Sequence, residues 1–227
     1  MARLQIHREA TFKGYEIIDE CRRNSKKKNV REFYLHSLER IYEIGMHSKQ
    51  VMSRPRAFHY TFSFTEEHSD YLITEVINRI KDAYQKPKKG KINPITGKLK
   101  NSRKEENTFK PLFYWCRELS HHPDHPLKGH IHYHLMVILC RSKGRIGAAK
   151  VVIERLRKKG IIKTANISKD DDESTMYGEE GKKRKAFASV CIKDDFAEFM
   201  YWFAYLAKVE TRMEGRSCDG SRIPKPS

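Results

Sequence analysis

The sequence GHIHYHLMVILC, residues 129 to 140, is the clearest indication of fold in this chain of 227 residues. Its apolar second half is typical of a β-strand in the interior of a sheet. His130, His132 and His134 recur at a spacing of two, so their side chains would project from one face of that sheet. A row of imidazoles is difficult to satisfy with hydrogen bonds alone, whereas a divalent cation binds several ring nitrogens at once. The stretch therefore predicts a strand that carries a metal site.

A second apolar run, FKPLFYWCRELS (109–120), precedes the histidines and is joined to them by a loop that contains proline and histidine. That connection favours two adjacent antiparallel strands, and such pairing would bring Glu118 beside the histidines. Two imidazoles and a carboxylate leave positions open for phosphate oxygens, a set that suits Mg²⁺ or Mn²⁺ acting on a phosphodiester. The alternative is that Glu118 is an ordinary surface carboxylate in a salt bridge.

Further elements surround these two strands. The run AFHYTFSFT (57–65) alternates apolar residues with histidine, threonine and serine, which predicts a strand with one polar face. Apolar residues at helical spacing predict four helices. These helices are expected at about Asn29–Val51, Leu72–Ala83, Arg145–Lys159 and from Asp194 onward, and another short strand is expected at Ala186–Lys193.

The last of these helices contains the sequence MYWFAYLAK (200–208), in which two tyrosines are combined with a lysine. Tyr201 and Tyr205 are four residues apart and Lys208 follows three later, so one helix would present all three on one face. A phenol close to a metal-bound phosphate can attack it and form a covalent intermediate, and the lysine could stabilise the developing charge. The alternative is that the aromatic residues only form a packing face.

The overall charge limits the classes of partner. The formal net charge is +17 and the isoelectric point is near 9.7, which favours binding to a polyanion such as nucleic acid. No apolar run is long enough for a membrane span and no signal peptide is recognisable, so we expect an intracellular protein that does not bind membranes. The five cysteines lack a paired motif, which favours reduced thiols.

Two segments are strongly charged. Residues 85–107 are rich in lysine, arginine, proline and glycine without an apolar period, which predicts a long mobile basic loop. This loop either lies along a phosphate backbone or is a solvated insertion. An acidic stretch around residues 170–173 is expected to be disordered.

The histidine strand followed by the tyrosine and lysine motif resembles the HUH endonucleases that initiate rolling-circle replication. Within that superfamily, WCRE, HYH, YLAK and the basic GRSCDGSR tail look like the filamentous-phage gene II initiators and their prophage-encoded relatives, over roughly residues 57 to 222. The run AFHYTFSFT also looks like the first motif of the superfamily. The ordered set of motifs is more specific than any one of them.

The resemblance implies a role for each matching residue. His132 and His134 match the metal-binding pair, with His130 as a further candidate because HIH also fits the pattern. Glu118 matches the acidic position before that pair. The catalytic residues implied are Tyr205 as nucleophile with Lys208, and Tyr201 as the additional tyrosine of two-tyrosine initiators. A divalent metal, Mg²⁺ or Mn²⁺, is the implied cofactor.

The resemblance also implies an architecture. We expect an α+β fold of the HUH/Rep type, with RRM-like topology, a central antiparallel sheet and flanking helices, in which the tyrosine helix packs over the metal. Residues 1–55 would form a helical accessory region, residues 56–215 the endonuclease domain and residues 216–227 a basic tail.

The implied function is site-specific nicking and joining of single-stranded origin DNA through a 5′-phosphotyrosine, in the cytoplasm of a bacterial host cell. A host replication helicase or polymerase would be a further partner. The alternatives are a transposase or relaxase with the same chemistry, a nucleic-acid-binding protein with an inactive site, and a metal-dependent RNase or RNA-binding protein.

Overall fold

The centre of the molecule is an antiparallel sheet built around residues 131–140. The computed structural model describes residues 5–17, 32–85, 91–92, 99–100, 110–119, 131–141, 146–167, 175–177, 183–185, 189–209 and 218–223. Within these residues the chain has an α+β fold, with six strands in the central sheet and four flanking α-helices. The expected fold class is confirmed.

Three long strands form the middle of the sheet. The histidine strand (Ile131–Cys140) lies between the strand Pro55–Phe64 and the glutamate strand (Leu112–Leu119). Pro55–Phe64 comes first of these three along the chain and is called the first strand. The expected antiparallel pairing of the histidine strand with the glutamate strand is confirmed. The central position explains the composition of the histidine strand, because a strand covered on both faces is apolar on both.

Shorter strands complete the sheet at its two sides. Ile162–Ile167 pairs with the outer side of the first strand, and Val190–Cys191 pairs with the beginning of the same strand. On the opposite side, Cys218–Gly220 pairs with the glutamate strand. Every one of these pairings is antiparallel.

Helices cover both faces of the sheet and create two hydrophobic clusters. Helices α1 (Leu35–Val51) and α4 (Phe196–Phe203) pack on one face, which we call the site face. Helices α2 (Ile73–Gln85) and α3 (Ala148–Lys158) pack on the other, which we call the apolar face. Alternate residues of the histidine strand point to the two clusters, as the period of two requires.

Several predicted boundaries differ from the structure. Phe33, expected in the first helix, lies in a two-residue strand, Phe33–Tyr34, that pairs with Ile6–His7. Leu72, expected on the buried side of the second helix, precedes that helix and is 60% exposed. Within the strand expected at residues 186–193, residues 186–188 lie outside the described residues and the strand covers Val190–Cys191.

The basic segment 85–107 contains some regular structure. Lys91–Ile92 pairs with Leu99–Lys100 in a two-stranded antiparallel ladder, which the prediction of an irregular loop omitted. The other residues of this segment beyond Gln85 lie outside the described residues, as does the acidic stretch 170–173.

The segment that carries the tyrosines is not one continuous α-helix. Helix α4 begins after Asp195, whose carboxylate accepts the backbone N–H of Glu198 at 2.7 Å, and it ends at Phe203. A 3₁₀ turn, Ala204–Ala207, follows, and Lys208 has extended backbone angles. The prediction of one α-helix through Lys208 is therefore wrong. The N–H of the next residue, Val209, donates to the carbonyl of Glu32 at 2.9 Å.

Helix α1 contributes to the hydrophobic cluster on the site face. Buried side chains of α1, among them Leu38, Ile41 and Ile44, belong to the same cluster as site-face residues of the sheet. The proposed division at residue 55 stays a prediction. None of the helices in the described ranges combines the length and the apolar character that crossing a membrane requires.

Candidate metal and tyrosine site

Glu118, His132 and His134 form a buried cluster near the beginning of the histidine strand. One ligand atom from each residue lies within 4.8 Å of the others. Glu118 Oε2 is 3.6 Å from His132 Nε2 and 3.3 Å from His134 Nε2. An octahedral ion with ligands at about 2.1 Å places neighbouring ligands about 3 Å apart, so both distances are close to those around a shared cation.

Strand register explains why these three residues meet. Glu118 lies directly opposite His132, and Cys116 lies opposite His134. Directly opposed side chains in an antiparallel pair are close and point to the same face. A shift of one residue in this register would send the carboxylate to the apolar face, so the pairing fixes the cluster.

Two polar side chains of the first strand contact His134. His134 Nδ1 lies 3.0 Å from His59 Nε2 and 3.1 Å from Thr61 Oγ1. The register pairs Thr61 with His134, and His59 is two residues earlier on the same face. Cys116 donates from its thiol to Glu118 Oε1 at 3.7 Å. The cluster is therefore supported from both neighbouring strands.

The 3₁₀ turn after α4 places Tyr205 and Lys208 against the cluster. Lys208 Nζ lies 3.0 Å from Glu118 Oε2 and donates to the Tyr205 hydroxyl at 2.5 Å. The Tyr205 ring meets the His134 ring edge to face, with centroids 5.3 Å apart. Carboxylate, imidazole, ammonium and phenol therefore share one location.

The buried carboxylate and ammonium hold each other in their charged forms. Burial works to raise the pKa of Glu118, yet interactions with His132, His134 and Lys208 hold that pKa well below its ordinary value. Burial also works to lower the pKa of Lys208, but Tyr205 and Glu118 raise it above its ordinary value. A buried pair of this kind persists only when further polar groups complete it, as the imidazoles and the phenol do here.

The two histidines that contact each other are neutral near pH 7. Burial of the ring, with His134 beside it, lowers the pKa of His59 to about 3. Burial likewise lowers the pKa of His134, despite the opposing effect of Glu118. A neutral imidazole has the lone pair that a metal ligand needs.

The donor set fits a divalent cation. His134 Nε2 is buried and makes no hydrogen bond of ordinary geometry to any described residue, although Glu118 lies near it. A buried polar atom without a hydrogen bond is costly unless another partner, such as an ion, satisfies it. Two imidazole nitrogens and a carboxylate oxygen suit Mn²⁺, and Mg²⁺ with retained waters.

The remaining candidate residues are Tyr201 and His130. Tyr201 lies in α4 and its ring packs edge to face against Trp202, with centroids 5.4 Å apart. After Phe203 the chain forms a 3₁₀ turn and not a further turn of α-helix. Tyr201 and Tyr205 therefore do not share one α-helical face. His130 lies outside the described residues.

Sequence reasoning gave no role to His59, Thr61 or Cys116. The alternation in AFHYTFSFT placed the first two on a polar strand face, which was the available signal. What they touch depends on how the first strand pairs with the histidine strand, and sequence alone does not reveal that register.

Comparison with protein-family models, with curated proteins and with solved structures found no match to this chain.

Proposed function

We propose that this protein is a metal-dependent enzyme that nicks and rejoins single-stranded DNA through a covalent bond to Tyr205, and that it initiates rolling-circle replication. One observation carries the proposal: Glu118 is contacted by two imidazoles and by Lys208, and Lys208 also donates to Tyr205. A potential nucleophile thus stands beside a potential metal site, with a cation at hand for the developing charge.

Glu118, His132 and His134 would hold the ion, Mg²⁺ or Mn²⁺. When bound, such an ion polarises the scissile phosphate and offsets its negative charge. The protein fixes the donors on two paired strands, so little reorganisation is needed on binding.

Tyr205 supplies the attacking oxygen. Its hydroxyl oxygen forms a bond to phosphorus, and the bond between phosphorus and the 3′-oxygen breaks. The phenolic proton is balanced by the proton gained on the 3′-oxygen, which leaves a 5′-phosphotyrosine and a free 3′-hydroxyl. Lys208 donates to the phenol oxygen and would stabilise negative charge that develops there. Rejoining is the reverse attack by a 3′-hydroxyl.

The substrate class follows from charge. A net charge of +17 attracts the phosphate backbone, and binding should weaken steeply as salt is raised. The proposed location is the cytoplasm of a bacterial cell, where a replicative helicase would separate the strands and a polymerase would extend the free 3′-hydroxyl. A transposase or relaxase would form the same adduct and would differ in its natural DNA site.

The test is formation of the covalent adduct. The full chain is incubated with Mn²⁺ and single-stranded oligonucleotides that tile the DNA flanking its own gene, and the products are separated on a denaturing gel. We expect a protein-linked DNA band that disappears after protease treatment, is absent for Tyr205→Phe and persists for Tyr201→Phe. Matched RNA oligonucleotides test the RNase alternative.

Other results would redirect the proposal. An adduct lost in Tyr201→Phe but kept in Tyr205→Phe would transfer the nucleophile to α4. Salt-sensitive DNA binding without any adduct across all oligonucleotides would favour a binding protein with an inactive site.

A further inference from the structure

We propose that His59 is a positioning residue of the metal site and that Thr61 has the same role with a smaller effect. Together they orient His134 and fix which of its ring nitrogens faces the cation. The inference rests on the proposed metal site and extends it to the first strand. Neither residue belongs to the proposed ligand set, so their effect would pass through His134.

The geometry of the two rings supports a directed hydrogen bond. The ring planes of His59 and His134 are inclined by 20°, with centroids 5.2 Å apart, while the nearest nitrogens are 3.0 Å apart. The nitrogens are therefore much closer than the ring centres, and the rings meet edge to edge. In that arrangement an N–H of one ring points at the lone pair of the other.

The proposed coordination determines the direction of this bond. A cation bound at Nε2 of His134 requires the lone pair on that nitrogen, so the ring proton must be on Nδ1. His134 Nδ1 would then donate, and His59 Nε2 and Thr61 Oγ1 are the acceptors within 3.1 Å. Outer partners of this kind hold a ligating imidazole in one orientation and strengthen it as a ligand.

The same two partners also suit the protein without metal. In that state a proton on His134 Nε2 would face Glu118 Oε2 at 3.3 Å, without the geometry of an ordinary hydrogen bond, which leaves Nδ1 as an acceptor. A neutral imidazole and a hydroxyl can each donate as well as accept, so His59 and Thr61 can reverse the bond. A purely aliphatic neighbour could do neither, and a carboxylate could only accept.

The placement of His59 is fixed by the fold. It lies on the first strand two residues before Thr61, which is directly opposite His134. Its ring also packs near Phe203 of α4 and near Tyr205, with centroids 6.3 Å and 6.4 Å away. His59 thus contacts the ligand from the strand while the nucleophile segment limits its movement.

The experiment compares Mn²⁺ binding, followed by electron paramagnetic resonance, in the wild-type chain and in His59→Leu, His59→Gln and Thr61→Val. Leucine removes the hydrogen-bonding nitrogen, whereas the glutamine amide can reach the same point. We expect the Kd for Mn²⁺ to rise about 10- to 100-fold in His59→Leu and by less in Thr61→Val. His59→Gln should recover most of the affinity.

His68→Leu is the matched control, because His68 also bonds to a threonine hydroxyl, Thr65, at 2.9 Å but outside the cluster. It should bind Mn²⁺ like the wild type. A second readout uses the diamagnetic ion Zn²⁺ and ¹⁵N-labelled histidine. The wild-type spectrum should show His134 bound through Nε2 and protonated at Nδ1. His59→Leu should show a second population that is bound through Nδ1 and protonated at Nε2, which a merely structural role would not produce.

The possible failures are distinguishable. Wild-type affinity in His59→Leu, or an unchanged His134 tautomer, would overturn the positioning role while leaving the proposed metal site intact. Mn²⁺ binding that is equally tight in Glu118→Gln would instead remove the metal site, and the positioning role with it. If His59→Leu does not fold, the comparison of His59→Gln with the shorter His59→Asn decides, since equal affinities in these two would contradict a role that depends on reach.

Discussion

The two faces of the central sheet are both buried, yet they hold different chemistry. Toward α2 and α3, the histidine strand presents Leu135, Val137 and Leu139 to a cluster of aliphatic and aromatic side chains. Toward α1 and α4, the same strand presents Met136 and Ile138, but the earlier residues on this face are His132 and His134.

The difference lies in the partners available on neighbouring elements. A buried charge is tolerated when an opposite charge and further hydrogen bonds surround it. The site face has both, since Glu118 comes from the next strand and Lys208 from the turn after α4. The apolar face is instead a cluster of packed hydrophobic side chains. We therefore expect the two faces to respond differently to substitution.

The largest effect is expected when the charge of Glu118 on the site face is removed. Glu118→Gln leaves Lys208 buried without its carboxylate, which should destabilise the fold by about 3–5 kcal/mol and lower Mn²⁺ affinity by more than about 100-fold. Chemical denaturation and Mn²⁺ titration measure the two effects.

A double variant separates stability from function in that result. Glu118→Leu combined with Lys208→Met removes both charges and should regain much of the stability, because well-packed apolar residues often replace a buried ion pair without loss. Metal affinity should stay lost. Restored Mn²⁺ binding in the double variant would show that Glu118 is not a ligand.

The apolar face should respond in the opposite way. Leu135→Ala leaves a cavity at a fully buried position and should cost about 2–5 kcal/mol of unfolding free energy. At sub-denaturing temperature the Kd for Mn²⁺ should remain within about twofold of the wild type, since the proposed ligands lie on the other face. A large loss of affinity would mean that the two faces are not independent.

A smaller effect is expected where α1 and α4 approach each other. Gly45 of α1 faces Phe199, and a Cβ there would also come within 3.0 Å of Phe196. Gly45→Ala gains about 1 kcal/mol of helix propensity, but the overlap with two packed rings should cost more, about 1–3 kcal/mol. Urea denaturation should therefore show a net loss. A net gain would indicate that α4 can shift away without penalty.

The last effect is spread over a range of pH and concerns acid stability. The pKa of His59 is about 3 in the folded protein and about 6.5 when unfolded, so the unfolded chain binds the proton first as pH falls. Stability should decrease from about pH 6.5 toward pH 3, with His59 contributing up to about 1.4 kcal/mol per pH unit. His59→Gln should flatten this slope in denaturation curves between pH 4 and 6. Thr61→Val, which removes no titrating group, should keep it.

Glu118 acts in a lower pH range with the same sign. Its pKa is held below the ordinary value, so it contributes stability above about pH 4.3 that is lost as pH falls further. The contributions of His59 and Glu118 therefore follow one another during acidification.

Much of the architecture was predictable because it depends on local periodicity. The alternation in GHIHYHLMVILC and the apolar run before it were sufficient to predict two paired strands, and their pairing placed Glu118 opposite His132. The helical periods located α2 and α3 closely, while α1 begins at Leu35 and not at Asn29 as expected. In each case residues close in sequence carry the pattern.

The segment from Asp195 to Lys208 shows where local pattern fails. Its spacing is consistent with a continuous helix, but buried packing of Ala204, Leu206 and Ala207 accompanies a 3₁₀ turn. That turn and the extended backbone at Lys208 bring Lys208 and Tyr205 to Glu118 while Tyr201 packs on Trp202. A spacing rule for α-helices does not describe this arrangement.

The basic charge, the strand with alternating histidines and the chemistry of the candidate residues could all be predicted without coordinates, since these are properties of composition and short-range order. The contacts of His59 and Thr61 with His134, and of Lys208 with the carboxylate of Glu118, arise only in the folded chain. Those contacts join residues between 73 and 90 positions apart. They depend on register and on the path of the chain after α4, which are set by the packing of the whole core.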